Sequence, residues 1–441
     1  MVTKQQLGIF SEKAGTETEE VESSLLRWPE WSVTGIILLF CFVLIFFSSI
    51  RVSALQLTQE EKLEDFEFLY TTLRDNYVYF DVILRRNNIN WLENYEKYRV
   101  AIKETSDDIE FYQAINSVIL ELRQGHTYLL PFSYYDYFSE LYSQVAQDDS
   151  TYLAWVEELT NDNVGENKEY WETLLYQGNE IGSSVKEGTD DNNEVQATRS
   201  EEKSNIYFME SENGRTAVLG FRSFDYYFME TDKDSLMTIY SSLNDYENLI
   251  IDLQGNTGGT TSYWKKLIVS HIATDEYTTQ AYLAFRNTPF VKRYYAEHFI
   301  TATDKIPDLP NIPPELQEWE VLIDEKEITI KPDSLSIDYQ GDIYLLVDGY
   351  VYSASEAFTV FAKYSDFAQV AGVVTGGDGI GRDPVLFSLP NSGICVLFPV
   401  FMGLNPDGSS SEEKGTTPDI ILEGDTAKDR REELIRIIEQ Q

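Results

Sequence analysis

The chain has 441 residues, with 34 Lys or Arg against 75 Asp or Glu, for a formal net charge of −41. Such acidity leaves no basic surface to displace counterions from a phosphate backbone, which excludes nucleic-acid binding. Three His and two Cys cannot build a Cys/His zinc cluster, and no HExxH is present. Hydrophobics at 42% and aromatics at 14% exclude a disordered acidic chain, and the length allows two or three domains with ample core.

A polar tail (1–30) precedes twenty uncharged residues from Trp31 to Ile50. At roughly 1.5 Å per residue they span a hydrocarbon core of about 30 Å. Arg27 and Arg51 flank the run, and Trp28 and Trp31 sit like interfacial anchors. Val52-Ser53-Ala54 resembles a secretory cleavage site, which if used would leave the protein secreted. The long Glu-rich stretch ahead of the apolar run suits a signal anchor better. Residues 31–50 therefore read as one transmembrane helix, with 1–30 cytoplasmic and the rest outside the cell membrane, as Lys4, Lys13 and Arg27 favour. Cys41 lies in that run, so Cys395 has no disulfide partner in the exported part.

Residues 56–131 read as a helical domain. Phe66, Leu69, Tyr70 and Leu73 recur at helical spacing, as do Phe111, Ile115, Val118, Ile119 and Leu122, with Asp107 or Asp108 as a cap. Residues 132–205 read as an acidic insertion, aromatic and weakly periodic at first, then a solvated loop over 179–204. From 206 to 424, β-rich runs alternate with helical stretches, which predicts an α/β core interrupted by an insertion at 272–335. Residues 425–441 read as a polar C-terminal helix.

Four segments could carry chemistry. In GYVYSASEAFTVFAKY (349–364), a Ser at a strand-to-helix turn would present its hydroxyl beside free backbone N–H groups. Ser353 or Ser355 could equally cap the helix, with Glu356 completing a capping box. In IIDLQGNTGG (250–259), a strand runs into Gly255, Gly258 and Gly259, where backbone amides can approach a ligand or simply make a tight turn. In LRQGHTYL (122–129), His126 follows Gly125 and could accept a hydroxyl proton; His271 and His298 have no marked setting. In SEEKGTTPDIIL (411–422), Glu412 or Glu413 could orient an imidazole.

Together, and in this order, these segments resemble the C-terminal processing (tail-specific) family of serine peptidases, in particular its tricorn-like branch. The resemblance implies a crotonase-like (ClpP/crotonase) α/β core that needs no cofactor or metal. SASE implies Ser353 as nucleophile. The DLRxNxGG-like loop implies Gly258 or Gly259, with Ala354, as the oxyanion hole. GHT implies His126 as general base, and the closing GxxPD implies Glu412 as third member. Many members carry a base Lys in a TxGKG run, but VVTGGDG has Asp378 at that place, which excludes a Ser–Lys dyad. Gly125 stands where tricorn has a Ser, and no PDZ loop signature occurs in 132–206. The expectation is a membrane-anchored extracytoplasmic serine peptidase acting on peptides or proteins. Its rivals are a non-catalytic ligand- or peptide-binding protein on the same scaffold, and an adhesion or scaffold protein whose segment 132–206 fills the cleft.

Overall fold

Apolar residues recurring on one face make the N-terminal helices. The computed structural model describes residues 56–182, 204–318 and 320–440. The tail 1–30, the apolar run 31–50 and most of the loop 179–204 lie outside the described residues, among which no helix is long and apolar enough to cross a membrane. Helix α1 (Gln59–Asn76) opens on a capping box between Thr58 and Glu61 and buries Phe66, Leu69, Tyr70 and Leu73. Helices α2 (Phe80–Asn87) and α3 (Tyr95–Lys103) follow. Helix α4 (Asp108–Leu120) is capped by Asp107, whose side chain accepts from the Glu110 N–H. A short strand, β1 (Tyr128–Leu129), comes next.

Three further helices occupy the segment that read as weakly periodic: α5 (Tyr135–Asp148), α6 (Leu153–Leu159) and α7 (Asp162–Gly182). Their inward faces are aromatic, and the two buried indoles satisfy their N–H groups on distant backbone carbonyls. The Trp155 indole donates to Pro384 (2.9 Å) and that of Trp171 to Ser392 (2.9 Å). A Trp or Tyr that is half apolar blurs the helical period, which is why the pattern looks weak.

The remaining chain builds three sheets. Its elements are β2 (Ile206–Glu210), β3 (Thr216–Phe221), α8 (Phe228–Leu243), β4 (Asn248–Asp252), β5 (Tyr277–Arg286) and β6 (Val321–Ile330). Then come β7 (Asp342–Val347), α9 (Ala354–Tyr364), β8 (Gln369–Gly372), β9 (Val385–Ser388), β10 (Cys395–Phe398) and β11 (Phe401–Leu404). The chain closes with α10 (Ser411–Lys414), β12 (Ile420–Ile421) and α11 (Ala427–Ile438). The largest sheet runs β12-β8-β7-β4-β3-β2, parallel except for β2 at the edge. Alternate residues of its strands face two different cores: Leu219, Ile251 and Leu345 pack under α8 and α9, while Val218, Ile250 and Leu346 meet Leu434 of α11. Within 272–335, β5 and β6 form a long antiparallel pair that also joins β11.

The helices of 56–131 have no core of their own. Leu69, Trp91 and Ile115 belong to one buried cluster with Phe285, Phe387 and Phe398. A unit of about 75 residues buries too little of its own surface to stand alone comfortably. Two contacts weld it to the sheets: β1 pairs antiparallel with β10 (Tyr128 opposite Leu397), and Asp65 reaches the turn between β9 and β10. The buried Asp65 carboxylate accepts the backbone N–H groups of Asn391 (2.8 Å) and Ser392 (2.9 Å). Asp65→Ala orphans both donors, and urea unfolding is expected to show a loss of about 1–3 kcal/mol or more; an unchanged midpoint would remove this contact from the account.

Candidate active site

Strands β4 and β7 are parallel neighbours, with Asp252 opposite Leu346, so the loops leaving their carboxyl ends emerge side by side. The first loop is pinned by Asn256, which is fully buried. Its Oδ1 accepts the Gly258 N–H (3.0 Å) and the Ser355 hydroxyl (2.6 Å), and its Nδ2 donates to Phe221 O (3.1 Å). Gly258 and Gly259 have φ of 115° and 137°, and a Cβ on Gly258 would stand 2.9 Å from that of Ser353. Only glycine lets the two loops approach this closely.

The second loop turns on Ser353, at φ 56° and ψ −123°. Such a conformation costs a non-glycine residue about 1–3 kcal/mol. It is held by the Ser353 N–H donating to Gly377 O (3.2 Å) and by the Ala357 N–H donating to Ser353 O (2.8 Å). The turn aims the Ser353 side chain away from the helix: it makes no capping hydrogen bond, so the capping-box alternative does not describe this helix. Ser355 is buried and committed to Asn256, leaving Ser353 as the serine of the pair that lines the neighbouring cavity. Gly259 and Ala354 line the same cavity, and their N–H groups have no acceptor among the described residues. The Gly258 N–H is taken by Asn256, so Gly259 is the glycine with an amide to offer.

His126 arrives from the other half of the molecule, on the turn between α4 and β1. Gln124 Oε1 accepts both the His126 N–H (2.8 Å) and the Thr127 hydroxyl (2.9 Å). Gly125 is required for contact, since a Cβ there would lie 2.9 Å from the Tyr352 ring. The imidazole stacks on that ring, with centroids 5.2 Å apart. Its Nδ1 lies 2.7 Å from Asp378 Oδ2; a carboxylate accepts, so Nδ1 carries the proton and Nε2 is free in the neutral form.

Glu412, which the sequence pattern put against the imidazole, makes no hydrogen bond to His126. Asp378 takes that place because it sits in the left-handed region (φ 55°) of a tight glycine loop packed on α10, which aims it at the histidine. Glu412 lies behind it. Its Oε1 binds Arg86 (2.7 Å), and its Oε2 faces the Tyr352 hydroxyl (3.1 Å). Glu413 turns away to Arg85 (2.7 Å). The Tyr352 hydroxyl also stands 3.1 Å from Asp378 Oδ2, and Gln124 Nε2 donates to that oxygen (2.8 Å). One phenolic proton cannot serve two carboxylates at once, so the cluster is complete only when one acid carries a proton of its own.

The electrostatics agree on which one. Burial, and then the neighbouring Asp378, push Glu412 up to about 7, against the opposing pull of Arg86 and Tyr352. Burial also pushes Glu356 up to about 7; it accepts from the Thr416 hydroxyl (2.7 Å). The Tyr352 hydroxyl is held protonated by burial and both acids. For His126, burial works against protonation, but the hydrogen bond and charge of Asp378, with Glu412 and Asp383 behind, raise it above its ordinary 6.5. Gln124, Tyr352, Asn256, Arg86 and Asp378 as the imidazole partner are the site residues that sequence reasoning missed; a carboxylate between glycines at the position of a missing Lys was the available signal for Asp378.

Ser353, His126, Gly259 and Ala354 open on one cavity of about 680 Å³, within the range of ligand sites. Ser353 Oγ and His126 Nε2 are not hydrogen-bonded to each other, and neither has another partner among the described residues. Tyr152 and Trp155 wall the cavity from the helical half without filling it. His271 and His298 are buried elsewhere, beside Asp333 and Asp324.

Residues 215–422 match the model of peptidase family S41. That stretch holds Ser353, the glycine loop, Asp378 and Glu412, and excludes His126. The chain is similar in structure to a candidate peptidase from Parabacteroides merdae ATCC 43184, at a TM-score of 0.52 and 18% identity, over 86% of this chain and 96% of that one. It is likewise similar to mature CPAF complexed with lactacystin, at a TM-score of 0.53 and 14% identity, over 86% and 97%. At these identities the likeness is one of fold. No curated protein matches the chain.

With Glu412 near 7 instead of its ordinary 4.5, folding takes up a proton between those values. Its contribution to stability is present at acid pH and lost as pH rises through about 7. Glu412→Gln, which cannot ionise, is therefore expected to gain in melting temperature relative to the wild type as pH rises from 5 to about 8. A pH-independent difference between the two would contradict this placement of the proton.

Proposed function

Because the chain belongs to peptidase family S41 and is a serine-type peptidase acting on peptides or proteins, we propose that it cleaves the peptide bond by acyl transfer through Ser353, His126 and Asp378. The observation that carries this reading is the shared cavity, which receives a strained serine from one half of the molecule and a carboxylate-braced histidine from the other. Ser353 Oγ attacks the scissile carbonyl carbon while His126 Nε2 takes its proton. The charge that appears on the imidazole is stabilised through Nδ1–H by Asp378. The carbonyl oxygen, now negative, meets the N–H groups of Gly259 and Ala354, each such donor being worth on the order of 3 kcal/mol. His126 then returns the proton to the departing amine, and a water deprotonated by the same nitrogen releases the acyl group. The open Ser353–His126 geometry suits this scheme, since such bonds commonly tighten only with substrate bound.

Glu412 acts through Tyr352 and Asp378 as a positioning group, and the Ser-His-Glu reading becomes Ser-His-Asp. The parallel sheet with helices on both faces supports a crotonase-like core. The uncharged run 31–50 supports a membrane anchor, with the catalytic part extracytoplasmic. A pure binding role would leave the strained serine and the braced imidazole without use, and a scaffold role would require a filled cleft.

Ser353→Ala is expected to abolish both peptide hydrolysis and labelling by a fluorophosphonate probe; residual labelling would place the nucleophile elsewhere. Asp378→Asn should lower kcat by about 10³–10⁴-fold, and Glu412→Gln far less. The reverse ranking would restore Glu412 as the imidazole partner. Because the base must be neutral, the acid limb of the kcat/KM profile should lie above 6.5 and move down in Asp378→Asn.

A further inference from the structure

Two buried acids stand at the roots of the loops that meet at the cavity. Asp252 ends β4, from which the glycine loop leaves, and Asp348 follows β7, ahead of the turn at Ser353. Asp348 Oδ1 accepts the Gly255 N–H (3.1 Å) of the first loop and the Tyr350 N–H (3.0 Å) of the second. One carboxylate thus ties the two loops together. Asp252 Oδ1 accepts the Gln254 N–H (3.0 Å) where the chain turns out of the strand.

Both acids are met from one helix. Helix α11 opens on a capping box between Thr426 and Asp429, and it seats Leu434 and Ile438 on the sheet beside Val218, Ile250 and Leu346. Its consecutive residues Arg430 and Arg431 point about 100° apart around the helix and so reach neighbouring strand ends. Arg431 Nε donates to Asp252 Oδ2 (2.7 Å) and its Nη2 to the Tyr207 hydroxyl (2.9 Å). That hydroxyl donates in turn to Asp252 Oδ2 (2.8 Å). Arg430 Nε donates to Gln254 Oε1 (2.8 Å), and its Nη2 lies 3.7 Å from Asp348 Oδ2. Gln254 Nε2 closes the contact on Ala427 O (3.0 Å). The cap and the apolar face hold the helix on the sheet; the arginine pair adds a frame for the loops. The helix lies beyond the residues matched by the family model, which end at 422.

We infer that Arg430 and Arg431 are positioning residues, which hold the roots of the glycine loop and of the Ser353 turn in one register. The Gly259 and Ala354 amides, one on each loop, then face the same point. The inference rests on the peptidase reading above. A buried carboxylate that loses its counter-charge becomes costly, so its loop shifts to relieve it. A displacement of about 1 Å at a reacting centre can lower a rate by about a hundredfold.

Arg430→Ala tests this with the least risk to folding, since its ion pair is the longer one; Arg431→Gln is its companion. Active sites are first counted by fluorophosphonate labelling carried to completion, so that kcat refers to folded, competent molecules. Arg430→Ala is expected to lower kcat per site by about tenfold to a hundredfold with KM little changed. Affinity for a peptide aldehyde, whose adduct places an oxyanion against the two amides, should fall by a similar factor. Arg436→Ala, an exposed arginine of the same helix, should match the wild type in both. An Arg430→Ala variant with wild-type kcat per site, or with a lower kcat but undiminished aldehyde affinity, would overturn the inference and leave the peptidase reading intact. Amide hydrogen exchange separates the two if the wild type neither cleaves nor labels. Faster exchange over 253–260 and 348–354 in Arg430→Ala keeps the clamp without the peptidase; unchanged exchange in that case removes both.

Discussion

One constraint governs the rest of the structure: the N-terminal helices cannot bury their own apolar faces, so they share a core with the strands that follow. Leu69, Trp91 and Ile115 pack with Phe285, Phe387 and Phe398, and β1 pairs with β10. The histidine therefore hangs from one half while the serine turn belongs to the other. A loosening of the shared core would therefore move His126 relative to Ser353. Stability and chemistry are coupled here through packing, without either depending on a disulfide: Cys395 is buried and unpaired, and burial pushes its thiol up to about 12.

Within that frame the site is assembled from costly pieces. Ser353 sits in a backbone region that L-residues avoid, and Asp378 occupies the left-handed region. Two buried acids share a phenol and an amide. Each would be unfavourable alone. They persist because Gly258, Gly259 and Gly125 allow backbones and rings to meet at distances that any side chain would forbid. Asn256 in turn ties the glycine loop to the helix behind the serine.

The proton count is the more general lesson of the cluster. His126, Asp378, Tyr352 and Glu412 form a row in which the nearer acid faces the imidazole and the farther one is raised toward neutrality. A row of this kind presents one negative charge to the histidine where two would sit in an isolated drawing. Repulsion between the acids keeps the second proton bound, and the phenol passes the arrangement on geometrically. The helical segment 135–182 contributes differently, by bringing Tyr152 and Trp155 to the cavity as a wall, so that the least periodic part of the sequence shapes the space a substrate would occupy.

Much of this was legible in the chain itself. The buried runs 216–221, 248–252 and 342–347, the helices around Phe66 and Phe111, and the glycines and serine at strand ends follow from periodicity and local sterics, which depend on near neighbours alone. What the sequence could not decide was which acid meets His126. Glu412 and Asp378 are both plausible by type and by order along the chain. The choice rests on a left-handed turn at Asp378, the packing of its loop on α10, and an Arg86 that draws Glu412 aside. The helices over 135–182 were hidden for the same reason: they are stabilised by partners far away in the chain, and such contacts leave no periodic trace in a local window of residues.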